Sequence, residues 1–193
     1  MTELTILLAL AGLLLVWGIA IFNRLVRQKN LVKEGWSGID VQLKRRANLI
    51  PNLIETVKGY IGHERTLLEE VTALRSRSMA AASPGERGPL EGALTGLLGR
   101  LFAVAEAYPE LKADRTFLEL QSEIAETEDQ VQLARRYYNG ATRDFNITIE
   151  SFPSNVVAGL FHFTQAEYFE IGEAADRAVP KVGFGQPSAA EGG

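Results

Sequence analysis

Two stretches of this 193-residue chain keep apolar side chains at alternating three- and four-residue steps over unusually long distances. The first runs through Trp36, Ile39, Leu43, position 46, Ile50, Leu53, Val57, Tyr60, position 64, Leu67, Val71 and Leu74. Only Arg46 and Glu64 break its apolar character. The second runs through Phe117, Leu120, Ile124, Thr127, Val131, Ala134, Tyr138, Ala141, Phe145, Thr148 and Phe152 without losing phase. A repeat of about 3.5 residues specifies long helices that pack at a shallow angle with left-handed supercoiling. Ala47, Ile54, Ile61 and Leu68 widen the first stripe to the face of a globular bundle. Strand-like alternation never lasts more than a few residues, so the expected fold class is all-α.

A shorter helix is expected between the two, from the spacing of Leu94, Leu97, Leu101, Val104 and Tyr108. Ser78 to Pro89 reads as a flexible connector by composition. Pro109 ends or kinks the middle helix, and Asp114 is positioned to cap the second long one. Pro153 interrupts that helix, with Ser154 or Asn155 capping a last short helix to about Arg177. The expectation is therefore an elongated antiparallel four-helix bundle of two long and two short helices, preceded by a membrane helix.

That membrane helix is residues 4–22, LTILLALAGLLLVWGIAIF, nineteen residues without a charge. At 1.5 Å per residue they span about 28 Å, close to the thickness of a hydrocarbon core. A cleaved signal needs a basic start, whereas Glu3 is the only charged side chain before the run, so a retained anchor is expected. No basic residue precedes the run, and Arg24, Arg27, Lys29 and Lys33 follow it. This asymmetry puts the N-terminus outside and the remaining chain in the cytoplasm, as a single-pass protein of the cell (inner) membrane. The same four side chains are within reach of anionic headgroups. The division expected is 1–29 as anchor and basic juxtamembrane segment, 30–179 as cytoplasmic bundle, and 180–193 as flexible tail. If the first helix runs unbroken from the membrane to about Arg77 it is about 110 Å long, with Gly35 and Gly38 as its hinge.

Little in the chain points to a reaction. There is no cysteine, and the two histidines are His63 and His162. His63-Glu64 begins like a zinc-protease motif, but Leu67 stands where the second histidine belongs. Glu119, Glu123 and Glu126 share a helical face but lack the histidines of a di-iron bundle, so a solvated acidic face is expected. No phosphate loop, dinucleotide motif or nucleophile elbow is present. Basic residues interleave with acids and the net charge is −4, which disfavours nucleic acid. No enzyme, cofactor, metal or small-molecule substrate is expected. Residues 24–46 hold seven basic and two acidic side chains, and 119–129 hold five acidic and none basic; in an antiparallel hairpin the two either approach each other in part or face different partners, and ordinary surface patterning is the neutral explanation.

Three local strings are more distinctive. They are Gln42-Leu43-Lys44-Arg45-Arg46-Ala47-Asn48-Leu49-Ile50-Pro51-Asn52-Leu53, continuing to Tyr60; Glu106-Ala107-Tyr108-Pro109-Glu110-Leu111-Lys112; and Ala134-Arg135-Arg136-Tyr137-Tyr138-Asn139, followed by Asn146 and Phe152-Pro153. With the anchor, this set resembles the LemA family from the N-terminus to about Phe184. The resemblance implies a bacterial single-pass membrane protein with a cytoplasmic antiparallel four-helix bundle, and roles in membrane stress response, signalling or membrane organisation. It implies no catalytic mechanism. Asn48 stands where the family usually has Asp, so a charge-dependent role at that position does not carry over.

Physical chemistry assigns some of these residues a task. Pro51 sits where the seam keeps its phase, which favours a continuous helix whose Ala47 carbonyl needs a donor from a packed neighbour. Asn139 and Asn146 lie one heptad apart beside Tyr138 and Phe145, and are expected to form a polar layer with Arg45 or Arg46 that fixes register. Arg46, at a seam position, needs an acidic partner, with Glu106, Glu123 and Glu128 as candidates. Tyr108, Tyr137 and Tyr138 are expected in the core or at its rim. The Asn146-Ile147-Thr148 sequon is irrelevant in a cytoplasmic domain. The function expected is a membrane-tethered scaffold or adaptor for an unidentified protein partner; the alternative is a homo-oligomeric membrane-organising protein.

Overall fold

The computed structural model describes residues 1–60 and 64–172. Among them are six helices and no strand: α1 (Thr2–Lys58), α2 (Arg65–Ala80), α3 (Pro84–Ala105), α4 (Pro109–Lys112), α5 (Arg115–Glu150) and α6 (Ser154–Leu160). The spine is the antiparallel pair of α1 and α5. Along it Gln28 reaches the Asp144 carbonyl at 3.3 Å, Trp36 packs on Tyr138 at 5.7 Å between ring centroids, and Tyr60 donates to Asp114 at 3.0 Å. Helices α2 and α3 form a hairpin over the distal half of this spine, where Phe102 meets Phe117 at 6.1 Å. Two long and two short antiparallel helices thus make the bundle, as the periodicity requires.

Which helices are short differs from expectation. The first stripe is not one rod, because α1 ends at Lys58 and α2 begins at Arg65. The connector between them preserves the three-and-four phase, which hides the reversal of direction. Ser78 to Pro89 is not a flexible connector either: α2 runs to Ala80 and α3 starts at Pro84. Ser83 caps α3 by accepting from the Glu86 amide at 3.3 Å, and the Glu86 carboxylate accepts from the Ala82 amide at 3.1 Å. That reciprocal pairing, with proline in the first turn, starts a helix in spite of the Gly and Pro around it. Asp114 caps α5 as expected, its carboxylate accepting from the Phe117 amide at 2.9 Å. The middle helix α3 ends at Ala105, ahead of Pro109, and Pro109 opens α4.

The last short helix is the largest correction. Helix α6 ends at Leu160, without a side-chain cap from Ser154 or Asn155, and residues 163–172 form neither helix nor strand. Gly35 and Gly38 do not hinge α1, which passes through both as helix. Gly35 instead permits close approach: a Cβ there would lie 3.0 Å from the Tyr138 Cα. The expected tail 180–193, the end of the expected last helix, and His63 lie outside the described residues.

Apolar burial falls into two clusters. A distal core joins Ile50, Leu53, Val71, Leu101, Leu111 and Phe117. A proximal core, nearer the N-terminal apolar run, joins Leu25, Ile39, Leu43, Tyr138, Phe145 and Phe169. The run itself is bare, with Leu4 through Val16 exposed on a helix long and apolar enough to cross a membrane.

Candidate functional site

Charged side chains meet where the two cores adjoin. Arg46 of α1 is 1% exposed and forms ion pairs with Glu91 of α3 and Glu128 of α5. Its guanidinium also donates to the Thr95 hydroxyl at 2.9 Å. Glu91 is buried too, and accepts from the Ser78 hydroxyl of α2. Arg87, buried one turn before Glu91, pairs with Asp40 of α1 at 2.7 Å, and Lys44 meets Asp40 at the same distance. Three cations (Lys44, Arg46, Arg87) therefore face three anions (Asp40, Glu91, Glu128), and all four bundle helices contribute a group. Partial burial raises the Asp40 carboxyl pKa, but hydrogen bonds and charge from Lys44 and Arg87 outweigh it and leave the carboxyl below its ordinary value. A buried charge without a partner is costly, so any register that parts these groups is disfavoured.

A second polar device sits one turn further along α1. Pro51 lies inside the helix and leaves the Ala47 carbonyl without its usual amide donor. The Arg75 guanidinium of α2 donates to that carbonyl. A neighbouring side chain thus fills the vacancy, as the sequence requires. Arg75→Ala is expected to cost about 1–3 kcal/mol, the usual penalty of an unsatisfied buried acceptor. In a Pro51→Ala background residue 51 regains its amide and the same change is expected to cost under about 1 kcal/mol. Urea unfolding of the four proteins in detergent micelles measures this cycle; equal costs in both backgrounds would show that Arg75 acts elsewhere.

The third arrangement holds the segment 163–172, which lies as a strap across α5 and α3. Asn146 donates to the Ala166 carbonyl and accepts from the Ala166 amide, both at 2.9 Å. Asn139 does the same with Phe169, at 3.1 and 3.0 Å. Tyr138 donates to the Glu167 carbonyl at 2.6 Å; burial pushes its phenol pKa up, so the hydroxyl keeps its proton. Seven helical residues rise about 10.5 Å and three extended residues about 10 Å, so the two asparagines match the strap's pitch. On the other side the strap crosses α3 at glycines. A Cβ on Gly88 would lie 2.3 Å from the Glu170 carbonyl oxygen, and one on Gly92 would lie 3.1 Å from Ile171. The strap drives Phe169 fully into the proximal core, where its ring lies 5.7 Å from Trp36.

A family model described as the LemA family matches residues 35–184, which include the charge layer, Pro51 and the asparagine pair. This chain belongs to the LemA family. The magnetosome protein MamQ 2 of Paramagnetospirillum magneticum is 26% identical over 187 residues, covering 82% of this chain and 68% of the relative. Protein LemA of Metamycoplasma hominis is 29% identical over 155 residues, covering 78% and 69%. The magnetosome protein MamQ of Magnetospirillum gryphiswaldense is 22% identical over 169 residues, covering 74% and 62%.

The residues singled out in the LemA-like strings separate into two groups. Arg46, Tyr138, Asn139 and Asn146 have internal tasks, and Tyr108 packs half-buried against the distal core ahead of Pro109. Pro153 turns the chain between α5 and α6. The asparagines do not form a layer with Arg45 or Arg46, whose hydrogen bonds and ion pairs go to other groups; both asparagines bond the backbone of the strap. Asn146 is buried in that contact. Among the partners weighed for Arg46, Glu128 is correct; Glu106 pairs with Lys112 and Glu123 is exposed. Tyr137 is half exposed, with its ring edge beside Gly35 at the rim of the core. The second group faces outward: Asn48, Pro51 and Asn52 are exposed on α1, Arg45 pairs with Glu126 at 3.5 Å, and Arg135 is half-buried on α5. Glu119 pairs with Arg115 at 2.8 Å.

Seam spacing does not mark Asp40, Ser78, Arg87, Glu91 or Thr95 as members of this layer. Arg87 and Glu91 stand four apart, and Gly85, Gly88, Gly92, Gly96 and Gly99 recur at helical spacing. That glycine stripe was the available sign of a close neighbour along α3.

Proposed function

We propose that this LemA-family chain is a membrane-anchored scaffold or adaptor, without catalysis or cofactor, in envelope stress or signalling. Helix α1 crosses the cell (inner) membrane once with its N-terminus outside, and the cytoplasmic bundle offers its surface to a protein partner. The observation that carries this reading is the outward group on α1. Asn48 and Asn52 leave their side chains in solvent on a helix whose opposite face is occupied by the core and the charge layer. A rigid bundle on a bare apolar helix holds such a surface at a set place beside the bilayer.

A photoreactive residue at position 48 or 52 in living cells tests it. The expected result is an adduct with a second protein, absent when the probe is at Ala125 on the far part of α5. Equal labelling at all three positions overturns the reading. The alternative is a homo-oligomeric membrane organiser. The anchor favours it through its small residues Gly12 and Gly18, since small side chains let membrane helices approach closely. Adducts confined to further copies of this chain would support that alternative.

A further inference from the structure

We propose that the corner between α5 and α6 is a second membrane contact, inserted into the bilayer interface beside the anchor. It rests on the reading that α1 crosses a membrane. Phe152 is 83% exposed, Leu160 72%, Val156 62% and Phe161 53%. From Ser151 to Ala166 the chain has no Asp, Glu, Lys or Arg. Four large apolar groups on an uncharged surface are unfavourable in water, and their position identifies what covers them.

A shallow cleft at the corner is lined jointly by Trp17, Ile21 and Arg24 of α1 and by Ser151, Phe152 and Pro153. The Phe161 ring lies 4.6 Å from that of Phe22, the last residue of the apolar run. Trp17 precedes Phe22 by five residues, so the cleft beside Phe152 reaches about 7.5 Å inside the end of the run. That is the depth at which apolar faces of interfacial helices settle, in the zone that favours aromatic residues. Val156 and Leu160 are four apart on one face of α6, while Ala158 packs inward on the proximal core. Phe163 also belongs to the inner side, with the Lys29 ammonium 5.6 Å from its ring. Arg24 and Arg27 stand at headgroup level beside the corner. With the anchor as one attachment and the corner as the other, the bundle is held at one rotation about the membrane normal.

The chain has no cysteine, so single cysteines report single positions. The full-length protein is placed in nanodiscs of phosphatidylcholine and phosphatidylglycerol, with an environment-sensitive dye at Leu10→Cys, Phe152→Cys, Leu160→Cys or Ala125→Cys. Spin-labelled lipid is expected to quench the dye at 152 and 160 several-fold more than at 125, with protection from aqueous iodide at the same two positions. Quenching at 10 but not at 152 and 160 overturns the corner proposal and leaves the anchor standing. No quenching at 10 overturns the anchor reading, and the proposal with it. Protection from iodide at 152 and 160 without lipid quenching also overturns it, in favour of a second copy or another protein on this surface.

Discussion

Replacing Arg46 with alanine is expected to destabilise the bundle by about 3–5 kcal/mol, because it leaves buried acids without their counter-charge. Glu91 would keep only Ser78 and Arg87, the latter at 3.5 Å, and Glu128 would lose its ion pair. Arg46→Lys retains the charge but cannot bond two carboxylates and Thr95 from one planar fork, so an intermediate loss is expected. The informative variant is Arg46→Met with Glu91→Leu. It removes one cation and one anion together, leaves Arg87 with Asp40, and is expected to lose less than the sum of the two single changes. Urea unfolding in detergent micelles, followed by circular dichroism, measures the parent, Arg46→Ala, Arg46→Lys, the double variant and its two single changes. An Arg46→Ala protein within about 1 kcal/mol of the parent would remove the layer from the set of features that fix register.

The periodic parts of the fold were legible because helical burial repeats along the sequence. Helix α5, its Asp114 cap and the seam of α1 follow directly from residue spacing. The break between α1 and α2 was not, since Leu67, Val71 and Leu74 happen to continue the phase of Trp36 to Tyr60 across a change of direction. The charge layer was half visible. Arg46 announced itself by occupying a seam position, and Glu128 was among its candidates. Glu91 stayed hidden because α3 begins in a Gly- and Pro-rich stretch that composition assigns to a loop, and only the Ser83–Glu86 cap reveals its start. The strap was hidden for another reason. Its backbone is satisfied by asparagine side chains and not by a neighbouring strand, so it carries no two-residue alternation. The heptad spacing of Asn139 and Asn146 showed that something polar was being held, without showing what.

Asn139→Ala with Asn146→Ala is expected to free the strap while leaving the distal core intact. Four hydrogen bonds are lost at about 0.5–1 kcal/mol each, or about 2–4 kcal/mol together. Amide exchange at Ala166 and Phe169 should then accelerate by about 30-fold to 700-fold, a factor of ten for every 1.4 kcal/mol. Asn139→Asp tests the directionality of the bond. A carboxylate still accepts from the Phe169 amide but cannot donate to the Phe169 carbonyl, so its exchange should fall between the parent and Asn139→Ala. Gly88→Ala approaches the strap from the opposite side without touching an asparagine. Its Cβ would lie 2.3 Å from the Glu170 carbonyl oxygen, too close for either backbone to remain in place. The same acceleration at Ala166 and Phe169 is expected. Gly96→Ala lies two turns further along the same stripe with no atom within 4 Å of its Cβ, and is expected to stabilise α3 by up to about 1 kcal/mol. Accelerated exchange in Gly88→Ala with an unchanged asparagine double variant would mean that glycine clearance and Phe169 burial hold the strap. Unchanged exchange in both would place the strap's stability in contacts other than these.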